Sequence, residues 1–146
     1  MTAHFSTCDL CDAHELDTTG GFRVLPPVFH DYGGAPRSAG PVVTVRCPED
    51  NSRVRDAVAE PGQGRVLVVD GGASLRRALM GGNLAADAAR NGWAGVVVDG
   101  AVRDLAELRS LPLGVRALAL GLALAGVVLA TWPSPPSPPS PPSRGR

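Results

Sequence analysis

The chain has 146 residues, 44% of them hydrophobic and 19% charged, which is room for one domain with a modest core. Its 14 basic and 14 acidic residues cancel to a formal charge of zero, so no net field draws it toward nucleic acid or an anionic membrane, and direct nucleic-acid binding is not expected. Every basic residue is an arginine, and the lack of lysine excludes any mechanism that needs a lysine Schiff base and argues against a P-loop.

The first residues lack the basic-then-apolar order of a secretory signal, and the cysteines (Cys8, Cys11, Cys47) are odd in number. Both features suit a reducing interior, and a cytoplasmic location is expected. Ser6 or Thr7 can cap a helix running from near Cys8 to about Leu16, with Asp9 and Asp12 placed where the helix dipole favours negative charge. Cys8 and Cys11 form a CxxC, the spacing of a redox pair or of half a zinc site. No second CxxC or histidine pair completes four ligands, and the plainer reading is one turn of helix.

Asp17 to Gly21 reads as a turn, and Tyr32-Gly33-Gly34 opens a further loop after Pro26-Pro27. Pro41 to Arg46 is rich in β-branched residues and predicts a strand. Asp50 or Asn51 then offers a cap for a short helix carrying Val54, Ala57 and Val58, stopped by Pro61 and Gly62. Arg65 to Asp70 and Ala94 to Asp99 are continuous apolar runs ending in Asp-Gly, the pattern of buried strands, while Leu84 to Asn91 and Asp104 to Ser110 read as helices. Alternating strands and helices imply a mainly parallel sheet, whose ligands gather at the strands' carboxyl ends. Two such ends carry Asp70-Gly71-Gly72 and Asp99-Gly100-Ala101-Val102-Arg103-Asp104, and the site is expected there.

From Ala117 to Trp132 the chain is almost purely apolar, sixteen residues against the roughly 20 a bilayer crossing needs, so burial against the domain is favoured over membrane insertion. Pro133 to Arg146 is a Pro-Ser repeat, expected to be extended and polyproline-like. Composition thus divides the chain into a domain over 1–118, an apolar segment over 119–132 and a Pro/Ser-rich tail over 133–146, read as disordered.

Several segments together resemble the RraA-like family, which includes the regulator of ribonuclease E activity A and the class II 4-hydroxy-4-methyl-2-oxoglutarate aldolases. They are Thr7 to Ala13 (TCDLCDA), Ala39 to Val45 (AGPVVTV), Glu49-Asp50-Asn51, Gly64 to Gly72 (GRVLVVDGG), Gly81 to Leu84 (GGNL), and Asn91 to Gly95 (NGWAG) running on to Gly100 to Asp104 (GAVRD). The match in order and spacing reaches about Leu118. The resemblance implies an α/β fold, a three-layer β/β/α sandwich of the swivelling-domain kind, assembled as a homotrimer. It also implies a divalent metal, Mg²⁺ in particular, held by Asp104, a pyruvyl substrate contacted by Arg103, and a substrate cradle of Gly81, Gly82, Asn83 and Leu84.

The chemistry of those assignments is reasonable. Cleaving a β-hydroxy-α-keto acid leaves a pyruvate enolate whose developing charge must be stabilised, and without lysine a metal is the natural electron sink. Mg²⁺ keeps several waters and accepts a single carboxylate anchor, and the planar fork of arginine suits a carboxylate or enolate oxygen. Taken alone, Arg103-Asp104 reads more readily as an ordinary helix start with a capping aspartate, and the surrounding resemblance is what reverses that preference.

Two departures from the family stand out. Its competent aldolases carry an aspartate where this chain has Gly82, and Asp87 in the next helix has the wrong spacing to replace it. The C-terminal part of the family fold is replaced by the apolar run and Pro-Ser repeat. The expected function is metal-dependent aldol cleavage of a small 2-oxo acid, 4-hydroxy-4-methyl-2-oxoglutarate, to two pyruvates, with an oxaloacetate decarboxylase side activity. The alternative is a non-catalytic protein that binds and inhibits a ribonuclease.

Overall fold

The computed structural model of the protein describes residues 6–120. Helix α1 (Thr7–Ala13) is capped by Ser6, whose hydroxyl accepts the Cys8 N–H at 3.1 Å. It ends short of the expected Leu16, and none of its residues is buried; without a packed face, propensity alone sustains only a brief helix. Strand β1 (His30–Asp31) comes next, then β2 (Val42–Arg46) and helix α2 (Ser52–Ala59). Asn51 takes the cap position of α2 but makes no side-chain bond there. Asp50, one residue earlier, accepts both the backbone N–H and the hydroxyl of Ser52, and these bonds hold its carboxyl below the usual carboxylate range.

Strand β3 (Val66–Asp70) lies in the expected run. A three-residue strand, β4 (Ala78–Met80), precedes helix α3 (Gly82–Arg90); strand β5 (Gly95–Val102) and helix α4 (Leu105–Ser110) follow, and β6 (Gly114–Leu120) closes the sheet. β1, β4 and β6 go beyond the sequence expectations. The strand order is β1-β6-β5-β3-β2, with β4 paired to the end of β5. All pairings are parallel except β1 with β6.

Alternation along the central strands sorts the side chains by face. Leu67, Val69, Val96, Val98, Val115 and Ala117 point to one side and are at most 1% exposed. There they join Val54 and Val58 of α2, Ala85 and Ala88 of α3, and Leu108 of α4 in a single core. The described residues thus comprise one sheet with helices packed on one face. A second β layer, which the resemblance implies, is not among them, and the expectations for residues 121–146 lie outside the described residues. Ala117 to Leu120, the first part of the apolar run, belong to β6. No described helix is long and apolar enough to cross a membrane.

The Asn91-Gly92-Trp93 segment seals the helix layer. Asn91 Nδ2 donates to the carbonyls of Val58 and Ala59 at the end of α2, and Trp93 Nε1 donates to Glu60 O at 3.1 Å. The carbonyls at a helix C-terminus lack intrahelical partners, so these bonds fasten α2 to the turn after α3. At the centre, Leu67 is fully buried. Leu67→Ala is expected to cost about 2–5 kcal/mol, since a buried deletion loses transfer energy and leaves a cavity. Urea unfolding checks it, and a loss under about 1 kcal/mol would contradict this packing.

Candidate functional site

The parallel pairing of β4 with β5 builds the site. Ala78 lies beside Ala101 and Met80 beside Val102, and the Arg103 N–H donates to Met80 O at 3.0 Å. Two chain segments therefore leave the sheet side by side, one through Gly81-Gly82 into α3 and the other through Arg103-Asp104 into α4. Residues 81–84 and 103–104, separated in sequence, meet for that reason.

Asp104 occupies the cap position of α4 in the left-handed region, with φ 63° and ψ 52°. That conformation costs most L-residues roughly 1–2 kcal/mol, and aspartate and asparagine tolerate it best. Its side chain makes no capping bond to α4. Instead Oδ2 reaches across to accept the Gly82 N–H at 3.0 Å, with Arg103 Nε 3.4 Å from the same oxygen. Asp104 therefore takes the cap position of its own helix without capping it through its side chain: the carboxylate stands at the N-terminus of α3. Gly81, at the cap of α3, supplies no side chain, so Asp104 satisfies one of that helix's free donors from outside.

The remaining first-turn N–H groups, those of Asn83 and Leu84, have no intrahelical acceptor, which makes this end of α3 a place where an anionic group is favoured. The side chain of Arg103 is 64% exposed and that of Asp104 40%, so both remain open to a ligand. Oδ2 of Asp104 is engaged, and Oδ1 is left for a cation. Among the described residues, no group of three or more His, Cys, Asp or Glu could enclose a metal. Asp104 fits a divalent ion that takes one carboxylate and fills its other positions with water and substrate oxygens, and it does not fit a multi-carboxylate cage.

The glycines here leave room for the neighbouring side chains in their observed positions. A Cβ at Gly81 would lie 2.6 Å from Asp104 Oδ2 and 2.9 Å from Arg103 Nε. One at Gly82 would lie 2.8 Å from Glu107 Cβ, so the space beside position 82 is taken up by Glu107. Sequence reasoning passed over Glu107; its signal was the three-residue step from Asp104, which brings it onto the same side of α4. Asp87 is paired with Arg90 in its own helix, consistent with its being set aside.

The other aspartates expected near the site, Asp70 at the end of β3 and Asp99 within β5, do structural work. Asp70 Oδ1 accepts the Gly72 N–H at 3.0 Å and Asp99 Oδ2 the Ala73 N–H at 3.1 Å, holding the loop after β3. Glu49 clamps the same loop. Its two oxygens receive Arg76 Nε and Nη2 at 2.7 and 2.8 Å, Ser74 Oγ adds a third bond, and together these hold the Glu49 carboxyl below its usual range. Nothing local in the sequence signals a partnership across that separation. Cys8 and Cys11 are exposed and free, while Cys47 is buried and desolvation pushes its thiol up.

Comparison with known proteins follows the same outline. The RraA-like family profile, described as Aldolase/RraA, matches residues 7–128, reaching past Leu118. A provisionally named 4-hydroxy-4-methyl-2-oxoglutarate aldolase of Albidiferax ferrireducens is 64% identical over 127 residues, covering 82% of this chain and 73% of its own. One from Burkholderia multivorans is 61% identical over 116 residues, covering 79% and 71%. Among solved structures, the RNA-processing inhibitor RraA from Thermus thermophilis superposes with a TM-score of 0.74 at 52% identity, covering 81% of this chain and 69% of that one.

Proposed function

The chain belongs to the RraA-like family, and on that premise we propose that it cleaves 4-hydroxy-4-methyl-2-oxoglutarate to two molecules of pyruvate and decarboxylates oxaloacetate as a side reaction. The observation that carries this reading is the Asp104 carboxylate held against the Gly82 N–H with Arg103 beside it. Both reactions pass through the enolate of pyruvate, and both demand positive charge and hydrogen-bond donors where its oxygen develops charge.

Arg103 binds the substrate carboxylate or the enolate oxygen, and its guanidinium keeps its proton throughout. The N–H groups of Asn83 and Leu84 receive a carboxylate at the start of α3, with Gly81 and Gly82 leaving the approach clear. Asp104 would hold a divalent cation, Mg²⁺ in this proposal, which when bound supplies charge stabilisation to the keto and enolate oxygens. A small 2-oxo acid is the partner, the assembly is a homotrimer, and the location is cytoplasmic.

Gly82 shapes the balance between the two reactions. Breaking the C3–C4 bond of the aldol substrate requires a base for the C4 hydroxyl proton, and position 82 has no side chain to orient one. Decarboxylation reaches the same enolate by losing CO₂ and needs no such base. Oxaloacetate is therefore expected to turn over faster than the aldol substrate, with both rates dependent on added Mg²⁺. Pyruvate release from each substrate, with and without Mg²⁺, on one preparation tests this. A faster aldol reaction would contradict the ranking, and no turnover of either substrate by folded protein would contradict the enzyme.

The second reading, a protein that binds and inhibits a ribonuclease, draws on the likeness to the Thermus RNA-processing inhibitor and on the missing carboxylate at Gly82. Folded protein that slows a ribonuclease without releasing pyruvate favours it.

A further inference from the structure

The carboxylates that flank Glu107 in sequence and space are engaged. Asp104 accepts the Gly82 N–H, Asp99 accepts the Ala73 N–H, and Asp87 is paired with Arg90. Glu107 is exposed, and its carboxylate takes no part in the hydrogen bonds or ion pairs among the described residues. Gly82 fixes its place: an ideal Cβ there would lie 2.8 Å from Glu107 Cβ and 3.1 Å from Glu107 Cγ. The stem of Glu107 thus lies against the residue whose N–H holds the Asp104 carboxylate. With C–C and C–O bonds of about 1.5 and 1.2 Å, its carboxyl oxygens stand within about 6 Å of that point.

We propose that Glu107 is the base for aldol cleavage, taking the C4 hydroxyl proton of the substrate; this rests on the enzyme reading given above. Such a base has to come from somewhere, because breaking the C3–C4 bond requires loss of that proton. Arg103 keeps its own proton, and Asp104 is committed to the Gly82 N–H and, in the proposed mechanism, to the cation. Substrate held by Arg103 and the first turn of α3 meets the first turn of α4, and that turn carries Glu107.

Glu107 receives the hydroxyl proton, the C4–O bond becomes a carbonyl, and the C3–C4 electron pair moves into the enolate of C2 and C3. That forms the first pyruvate, and return of the proton from Glu107 to C3 of the enolate forms the second. Oxaloacetate has no C4 hydroxyl and loses CO₂ without this step, and its enolate can be protonated by water. Glu107 is not locked in place by any bond, so decarboxylation, which does not wait on its position, remains the faster reaction. The dipole of α4 also favours an acid in its first turn, which accounts for a glutamate there but not for its packing on Gly82.

Pyruvate release from 4-hydroxy-4-methyl-2-oxoglutarate and from oxaloacetate, each with Mg²⁺, tests this on wild type, Glu107→Gln and Glu107→Asp. Calorimetric binding of oxalate, which has the shape of the pyruvyl enolate, reports on the rest of the site. General-base catalysis is worth about 10²–10⁴-fold, so Glu107→Gln is expected to lower kcat for the aldol substrate about 10²-fold and to widen the ratio of oxaloacetate to aldol rates by at least about tenfold. Glu107→Asp, one methylene short, should fall between, and both variants should still bind oxalate. Equal losses on both substrates, or loss of oxalate binding in Glu107→Gln, would overturn the proposal by making Glu107 a support for the site. So would an unchanged aldol rate. Wild type that decarboxylates without cleaving the aldol substrate would overturn this inference alone, whereas folded wild type that turns over neither would overturn the enzyme reading as well.

Discussion

Asp104→Asn is expected to lower kcat/KM for pyruvate release by about 10²-fold or more while leaving the fold in place. Asparagine also tolerates the left-handed backbone at this position and can still accept the Gly82 N–H, so the geometry survives and only the charge is lost. What goes is the negative charge that anchors the cation in the proposed mechanism, and electrostatic stabilisation of this kind is worth a factor of about 10²–10³ per group. Asp104→Ala should show the same kinetic loss together with a lower melting temperature, because alanine pays the left-handed penalty and frees the Gly82 donor. Steady-state kinetics with a thermal melt of each variant separates the two effects. Wild-type turnover in Asp104→Asn would remove Asp104 from the mechanism.

Gly81→Ala is expected to give a folded protein with about 10²-fold lower kcat/KM. The backbone at Gly81, with φ −129° and ψ −176°, is open to any residue, so alanine meets no conformational strain. Its Cβ would instead stand 2.6 Å from Asp104 Oδ2 and 2.9 Å from Arg103 Nε. These belong to exposed side chains, which can move aside at little cost to stability, but in the proposed mechanism they are also the atoms that must be in place for chemistry. A displacement of about 1 Å at such a site costs on the order of 10²-fold. Circular dichroism and pyruvate kinetics on the same sample decide it. Full activity would mean that the close contact of Gly81 with the pair is catalytically irrelevant.

Much of the frame was legible in the residues. β3 and most of β5 announced themselves as the apolar runs 65–70 and 94–99, rich in β-branched residues and each followed by glycine, but β5 runs on through Gly100 to Val102. The helices over 52–59 and 82–90 followed from periodicity and cap residues, and their ends shifted by only a residue or two. β6 was hidden because an apolar run without period looks alike as a strand, a core helix or a membrane segment. β4 is three residues long and lies in a loop-like stretch, too short for any periodic signal.

The candidate site divides the same way. Composition by itself removed lysine chemistry, and the order of motifs drew attention to Arg103, Asp104 and the Gly81 to Leu84 stretch. Which group Asp104 serves was decided only in three dimensions: pairing of β4 with β5 brings the two chain segments together, and the left-handed backbone turns the carboxylate from its own helix back toward α3. The Glu49–Arg76 clamp and the contact between Gly82 and Glu107 belong to the same category. Local sequence records propensity, period and capping, which act within a few residues. A bond between positions more than twenty residues apart exists only once the sheet has set their register, and so only the tertiary structure could decide it.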